Sequence, residues 1–265
     1  MKPLNYKERF TDQKFSCFPI PRELHFLPNP NQPNEFHKVP GVNNEVCPGF
    51  DHQVAGSCDY NLSSSQLEAT SNLIPYIICG EESSAIAFHR EAHKVGILSS
   101  EKAAELAYCF EQVAKEEAQH EFLLRKLALH LPPAKEKNLI KKRARKFYLY
   151  LAQDRDSGTH FAKIAALDSQ VCKIMVSLLS KNSAISKSPK ILFIVNKILK
   201  DEARHVAISK RYASQLGLSQ SQINEIASIL RKDLVEFLWP AGQYLDILNV
   251  DPDRLFSRIR GTMLI

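Results

Sequence analysis

Apolar residues recur every three to four positions from about residue 62 onward, and before that point they do not. Residues 1–61 include the stretch FPIPRELHFLPNPNQPNEFHKVPGVNN, rich in proline, asparagine and polar side chains. With no helical period, it predicts an irregular N-terminal arm. From Leu62 proline and glycine thin out and a helical period takes over. A first helix is expected over about 63–95, ending at Gly96, with a kink near Pro75 and Gly80. A second starts at Ser99 or Ser100, both good N-cap residues, and runs to Leu131 before Pro132 and Pro133. A third pattern spans 134–181 and breaks at DRDSG (154–158). A fourth begins at Ser188 and Pro189, a serine cap with proline in the first turn, and ends at Gly217. Two more follow, over about 219–239, stopping at Pro240, and over 251–260. No β pattern has comparable strength. The chain therefore reads as all-α: an irregular arm over 1–61, a helical bundle over 62–217, and a helical extension of the same domain over 218–265. The connections are short enough for antiparallel neighbours.

Composition narrows the class without changing the fold. Of the 265 residues, 44% are hydrophobic and 24% charged, so a sizeable core can form. No apolar run is long enough to cross a bilayer, and the N-terminus MKPLNYKERF lacks the apolar segment of a signal peptide. A cytoplasmic protein without a membrane partner is expected. The six cysteines form no C-x-x-C pair, and a disulfide framework does not fit a chain of this kind. Cys17, Cys47 and Cys58 with His25, His37 and His52 match no zinc-ligand spacing. The net charge of +6 permits an acidic partner but does not demand one.

The chemistry lies where acidic residues interrupt apolar seams. In the second helix, spacings of three and four select Leu106, Phe110, Val113, Glu117, His120, Leu124 and Leu127. Glu117 and His120 occupy core positions, where an ionised carboxylate is costly unless compensated. A later seam reads Phe161, Ala165, Asp168, Cys172, Met175, Leu179, again with a carboxylate in an apolar place. Val195, Ile198, Glu202 and His205 share a stripe, and Glu81 and Glu82 fall within LIPYIICGEESSAIAF. Two halves result: Glu82 or Glu81 with Glu117-Ala-Gln-His120, and Asp168 with Glu202-Ala-Arg-His205. Glu81 aligns with Ile74, Ile78, Ala85 and Phe88. Glu82 better matches the spacing of the second half and is favoured. Residues three apart share a helix face, so each Glu-x-x-His pair reaches one region of space. Four carboxylates and two imidazoles balance two divalent ions, and form the ligand set of di-iron and di-manganese carboxylate bundles. The bland alternative is a buried Glu–His network without metal, which would have to satisfy itself in a low-dielectric core.

The run DEARH (201–205), with an acidic residue upstream, resembles the repeated E-x(28–37)-D-E-x-R-H signature of the p-aminobenzoate N-oxygenase group of di-iron oxygenases. EEAQH (116–120) is a looser copy, and the resemblance covers about residues 63–216. It implies a ferritin-like four-helix bundle with an O2-activating pair of iron ions, or a manganese–iron or di-manganese pair. Carried over, Glu82, Glu117 and His120 would serve mainly one ion. Asp168, Glu202 and His205 would serve mainly the other, with Glu117 and Glu202 bridging. Asp201 and Glu116 would orient the imidazoles across the pair, and Arg204 would anchor a carboxylate behind them. Two departures stand out: Ile198 replaces an extra histidine of the N-oxygenases, and Asp168 stands where glutamate is usual, one methylene shorter.

Other candidates have plainer readings. His89, His93 and His160 could add ligands, but solvent-facing or supporting roles are preferred. Phe88, Tyr108, Phe110, Phe161 and Met175 could line a channel, though core packing is the commoner use. The basic run KEKNLIKKRARKF (135–147) could bind phosphates, as in a tRNA-modifying di-iron hydroxylase, but such runs are usually solvated helix faces. The function expected is an O2-dependent oxygenase or oxidase of a small organic substrate. It would be served by an electron-donor protein or reductant, and could form a homodimer. About a hundred residues outside the four-helix unit could shape its pocket. The alternatives are a non-catalytic iron or manganese protein for storage or oxidant defence, and a metal-free bundle that binds partners.

Overall fold

The computed structural model describes residues 60–98, 100–152 and 156–261, all within one compact unit, Cys58–Ile265. The expected N-terminal arm, with Cys17, Cys47, Cys58, His25, His37 and His52, lies outside the described residues. Among those described, the regular structure is all helical and no strand occurs. Helix α1 is Ser64–Gly96, α2 Glu101–Leu129, α3 Lys137–Leu151, α4 Ser157–Leu178, α5 Pro189–Gln215, α6 Gln220–Leu238, α7 Gly242–Ile247 and α8 Pro252–Arg260. The fold is a ferritin-like bundle of α1, α2, α4 and α5, with additional C-terminal helices.

Local chemistry sets most of the ends. Ser63 caps α1 reciprocally with Gln66, and Ser219 caps α6 with Gln222. Ser100 accepts from the Ala103 amide at the start of α2, and Asp156 from Thr159 at the start of α4. Ser188 occupies the N-cap position of α5 but makes no capping hydrogen bond, and its hydroxyl is buried without a hydrogen-bond partner among the described residues. Pro189 fixes that start instead. Past the end of α5, Gly217 takes φ +97°, a left-handed conformation that other residues resist. Helix α1 runs uninterrupted through Pro75.

The third pattern resolves into two helices with different duties. Helix α3 lies along α1, where Tyr76 packs with Ile140, and it runs in the same direction, since Glu136 meets Asn72 and Tyr148 meets Gly80. This crossover returns the chain to the level where α2 began. Helices α2 and α4 are therefore both antiparallel to α5: Phe110 and Phe161 pack on Tyr212. Phe88 closes that end of the core against Phe110 and Phe161, with ring centroids 5.8 and 5.4 Å away. Leu230 of α6 packs with Ala166 of α4, and Ala241 with Tyr76. The C-terminal helices thus cover the side of the bundle that α1 and α4 share.

Candidate metal centre

The seams carry their acids to one level of the core. On α1, the stripe of Ile74, Ile78 and Phe88 buries Glu81. On α2, Phe110, Val113 and Leu124 bury Glu117 and His120; on α5, Val195 and Ile198 bury Glu202 and His205; on α4, Phe161 and Met175 bury Asp168. Glu81, Glu117, His120 and Glu202 each offer one ligand atom, and those atoms all lie within 4.8 Å of one another.

The two imidazoles are held alike. His120 Nδ1 faces inward, 3.0 Å from Glu81 Oε2 and 3.8 Å from Glu117 Oε2, and its Nε2 lies 2.9 Å from Asp201 Oδ2 on the opposite helix. His205 Nδ1 also faces inward, 3.0 Å from Glu117 Oε1 and 3.8 Å from Glu202 Oε1, with Nε2 2.9 Å from Glu116 Oε2. Each histidine thus leans on an acid from the other's helix. Lys197 supports Asp201 at 3.3 Å, and Arg204 holds Glu116. An ionised carboxylate only accepts, so Asp201 and Glu116 keep the proton on each Nε2 and leave each Nδ1 lone pair for the centre when the ring is neutral.

Charge is crowded here. Burial raises the Glu81 carboxyl well above its ordinary range, and Glu117 raises it further. Burial and Glu117 do the same to Asp168 and to Glu202. Burial also pushes Glu117 up, but the adjacent His120, His205 and Glu81 outweigh it and hold Glu117 well below the usual range. Burial pulls both imidazoles down. Asp201, Glu117 and Glu81 nevertheless carry His120 up to about 11, and Glu116 and Glu117 carry His205 up to about 9.

Protein groups alone leave this centre unsatisfied. Glu117 Oε2, Asp168 Oδ2, Glu202 Oε2 and His205 Nδ1 are buried with no hydrogen-bond partner among the described residues. His205 Nδ1 is close to Glu117, but off the line of a hydrogen bond. Each such orphan costs roughly 1–3 kcal/mol, and four of them converge on one place. A self-satisfied Glu–His network would not leave them. A donor set of carboxylate oxygens and imidazole nitrogens suits iron or manganese, and the residues fit a di-iron site.

The candidates do not all converge equally. Glu82, favoured by spacing, is not brought to the cluster: its side chain is 53% exposed and points to Arg125 at 3.7 Å, whereas Glu81 is buried. One residue along a helix turns the side chain by about 100°, and the seam, not the spacing, marks the inward position. Asp168 is buried beside the cluster but outside its tightest group. His89 faces solvent and pairs with Glu111 at 2.8 Å. His160 sits beside the Leu151 carbonyl, and Ile198 is plain core. Phe88, Phe110, Phe161 and Met175 are buried, while Tyr108 is exposed.

Three polar residues escaped the pattern. The Ser84 hydroxyl donates to Glu117 Oε1 at 2.8 Å; its place one turn after Glu81 was the available signal. Glu91 is a buried acid away from the centre, satisfied by Lys94 at 2.9 Å and by the Tyr212 hydroxyl at 2.8 Å. The Tyr148 phenol enters from the crossover helix, where no bundle seam could announce it.

A cavity of about 720 Å³ lies between α1 and α4, roofed by α3 and the C-terminal helices, and Glu81, Glu117, Asp168 and Glu202 stand in its wall. Most of its remaining lining is apolar, and Tyr148 and His160 also face it. A family model described as rubrerythrin matches residues 78–213, just over half of the 265-residue chain. No curated protein and no solved structure matches the chain.

Proposed function

The chain belongs to the rubrerythrin family, within the ferritin-like di-iron carboxylate superfamily, and from that premise we propose an O2-activating di-iron oxidoreductase, an oxygenase or oxidase of an organic molecule held in the bundle. The observation that carries this reading is the cavity. Four cluster carboxylates form part of its wall, and a centre that only stores iron has no use for an apolar chamber of about 720 Å³ against its ligands.

In this reading Glu81, Glu117 and His120 would hold one ion and Asp168, Glu202 and His205 the other. The iron pair, once bound, would supply electrons to O2 and oxidising power toward a bond of the adjacent substrate. The protein's own work is positional. Asp201 and Glu116 fix the imidazole rings, with Arg204 and Lys197 holding those acids in turn. The apolar lining keeps bulk water from the cluster. An external reductant or electron-donor protein would supply the electrons.

The family match fits equally well an iron or manganese protein that meets an oxidant without an organic substrate. One experiment separates the two. The protein is loaded anaerobically with ferrous iron, metal per chain is counted, and O2 uptake is followed with and without panels of amines and long-chain acids. The oxygenase reading expects uptake that a substrate accelerates, with oxygen or unsaturation appearing in the product. Uptake indifferent to every organic addition, with ferric iron accumulating beyond the two-ion site in a cage-sized oligomer, would establish the storage reading instead.

A further inference from the structure

The mouth of the cavity has a chemistry of its own. Two exposed stripes border it, each with a spacing of four: Glu82, Ile86 and Arg90 on α1, and Lys141, Arg145 and Leu149 on α3. Ile86 is 55% exposed and Leu149 59%, so two large aliphatic side chains stand in water at the entrance to an apolar chamber. Around them are three cations, Arg90, Lys141 and Arg145, none with an ion-pair partner among the described residues. Glu82 is the exposed acid of this wall, and Arg125 answers it at 3.7 Å. The other acids lining the cavity are the buried cluster and Glu91, which pairs with Lys94. The mouth is therefore positive and greasy together. Beyond it, Met175, Leu178, Leu245 and Phe256 are buried and apolar.

We propose that this cavity admits a single-tailed amphiphile with an anionic head, the head held by Lys141 and Arg145 of α3 and the tail lying in the chamber past the cluster carboxylates. The tail accounts for the exposed Ile86 and Leu149, which a polar substrate would leave unexplained, and the head accounts for unanswered cations beside them. The volume lies within the range of roughly 300–1,000 Å³ typical of pockets for molecules of this size. The crossover helix thereby gains a purpose for its basic run: Lys141 and Arg145 follow the buried Ile140 and Ala144 by one position, so the same helix that roofs the chamber presents its charges at the rim. What happens to the bound tail rests on the oxidoreductase reading; the binding itself does not.

The test is therefore a binding measurement on the full-length chain, with iron per chain counted separately. Dodecanoate, dodecyl phosphate and dodecyltrimethylammonium are titrated calorimetrically, each below its micelle-forming concentration, with acetate and inorganic phosphate as heads without tails. The expected result is one site for an anionic amphiphile, and none for its cationic counterpart or for the bare heads. Preference between the two anions identifies the head as carboxylate or phosphate. Lys141→Ala with Arg145→Ala should weaken binding by about tenfold, the loss of two part-exposed charge pairs, and Lys141→Arg with Arg145→Lys should restore it. Leu149→Glu, at an exposed site that tolerates the change, should weaken it too. Equal binding of the cationic amphiphile, or unchanged affinity in the double-alanine protein, would overturn the proposal. If anion binding fails while two irons are present, only the substrate class is wrong. If it succeeds while iron does not bind, only the di-iron reading is.

Discussion

Glu81 and Glu82 are identical in chemistry and adjacent in sequence, yet their side chains are 4% and 53% exposed. Removing the charge from each separates ligand from bystander. Glu81→Gln should lower iron content below the roughly two ions per chain expected of this ligand set, whereas Glu82→Gln should leave it unchanged, as read by metal analysis of purified protein. Matching losses in both would remove Glu81 from the centre. Behind the ligands, Asp201 accepts from His120 Nε2, and burial, which would raise its carboxyl, is outweighed by His120 and Lys197, which hold it at about 2. Asp201→Asn keeps the size but can turn an N–H toward the ring. Loss of such a partner typically weakens a metal site by about 10–100-fold; a ferrous titration under anaerobic conditions should find that for one ion and spare the other. These details were unevenly legible in the sequence. Glu117, His120, Glu202 and His205 stood out as acids and imidazoles on otherwise apolar stripes. The choice on α1 depended on which register was trusted, and the helix phase of Ile74, Ile78 and Phe88 held the answer that chain spacing obscured.

At the scale of elements, Gly80 controls how closely α3 approaches α1. A Cβ there would stand 3.0 Å from the Tyr148 hydroxyl and 3.9 Å from the ring carbon bearing it. In a free helix, Gly→Ala is worth about 1 kcal/mol. Here the phenol opposes that gain, because the Tyr148 ring is fixed between Phe147 and Phe237, at 5.2 and 6.3 Å. Gly80→Ala alone should therefore give little or no stabilisation. In a Tyr148→Phe background, where the clashing oxygen is gone, the same change should stabilise by up to about 1 kcal/mol. Urea unfolding of the four proteins measures the coupling, and equal gains in both backgrounds would dismiss the contact. This interaction could not be read from sequence, because it joins a crossover helix to a bundle helix and follows neither seam. Helix ends were far more legible. Ser63, Ser100, Ser219 and Gly217 announce them through local chemistry alone. The exception, Ser188, shows the limit: the residue type was right, but its buried hydroxyl caps nothing. Helix α1 continues through Pro75, with Tyr76 beside it packed on Ile140 and Ala241.

For the molecule as a whole, the centre couples stability to protons and to metal with opposite signs. An unfolded histidine titrates near 6.5, while folded metal-free His205 and His120 are carried to about 9 and about 11. Their contribution to stability is therefore complete below the unfolded value and is lost as pH rises through the folded ones. Glu81, Asp168 and Glu202 are also raised, chiefly by burial, so they too favour the fold in acid and lose that contribution as pH rises past the ordinary carboxylate range. Glu117 and Asp201 act the other way: both are depressed, and their stabilisation disappears only as pH falls below that range. Across neutral and mildly alkaline pH the raised groups govern, so the metal-free chain should melt at progressively lower temperature from about pH 6 to about pH 9. Metal binding requires neutral imidazoles and ionised carboxylates, so the same rise in pH removes the protons that compete with it. The melting temperature of protein loaded anaerobically with manganese should therefore fall less or rise, and the gap between loaded and metal-free protein should widen with pH. Paired calorimetric melts, one with chelator and one with excess manganese, give that gap directly. A gap constant over the range would mean that the buried acids and imidazoles do not face the ions, and the centre would have to be sought elsewhere in the bundle.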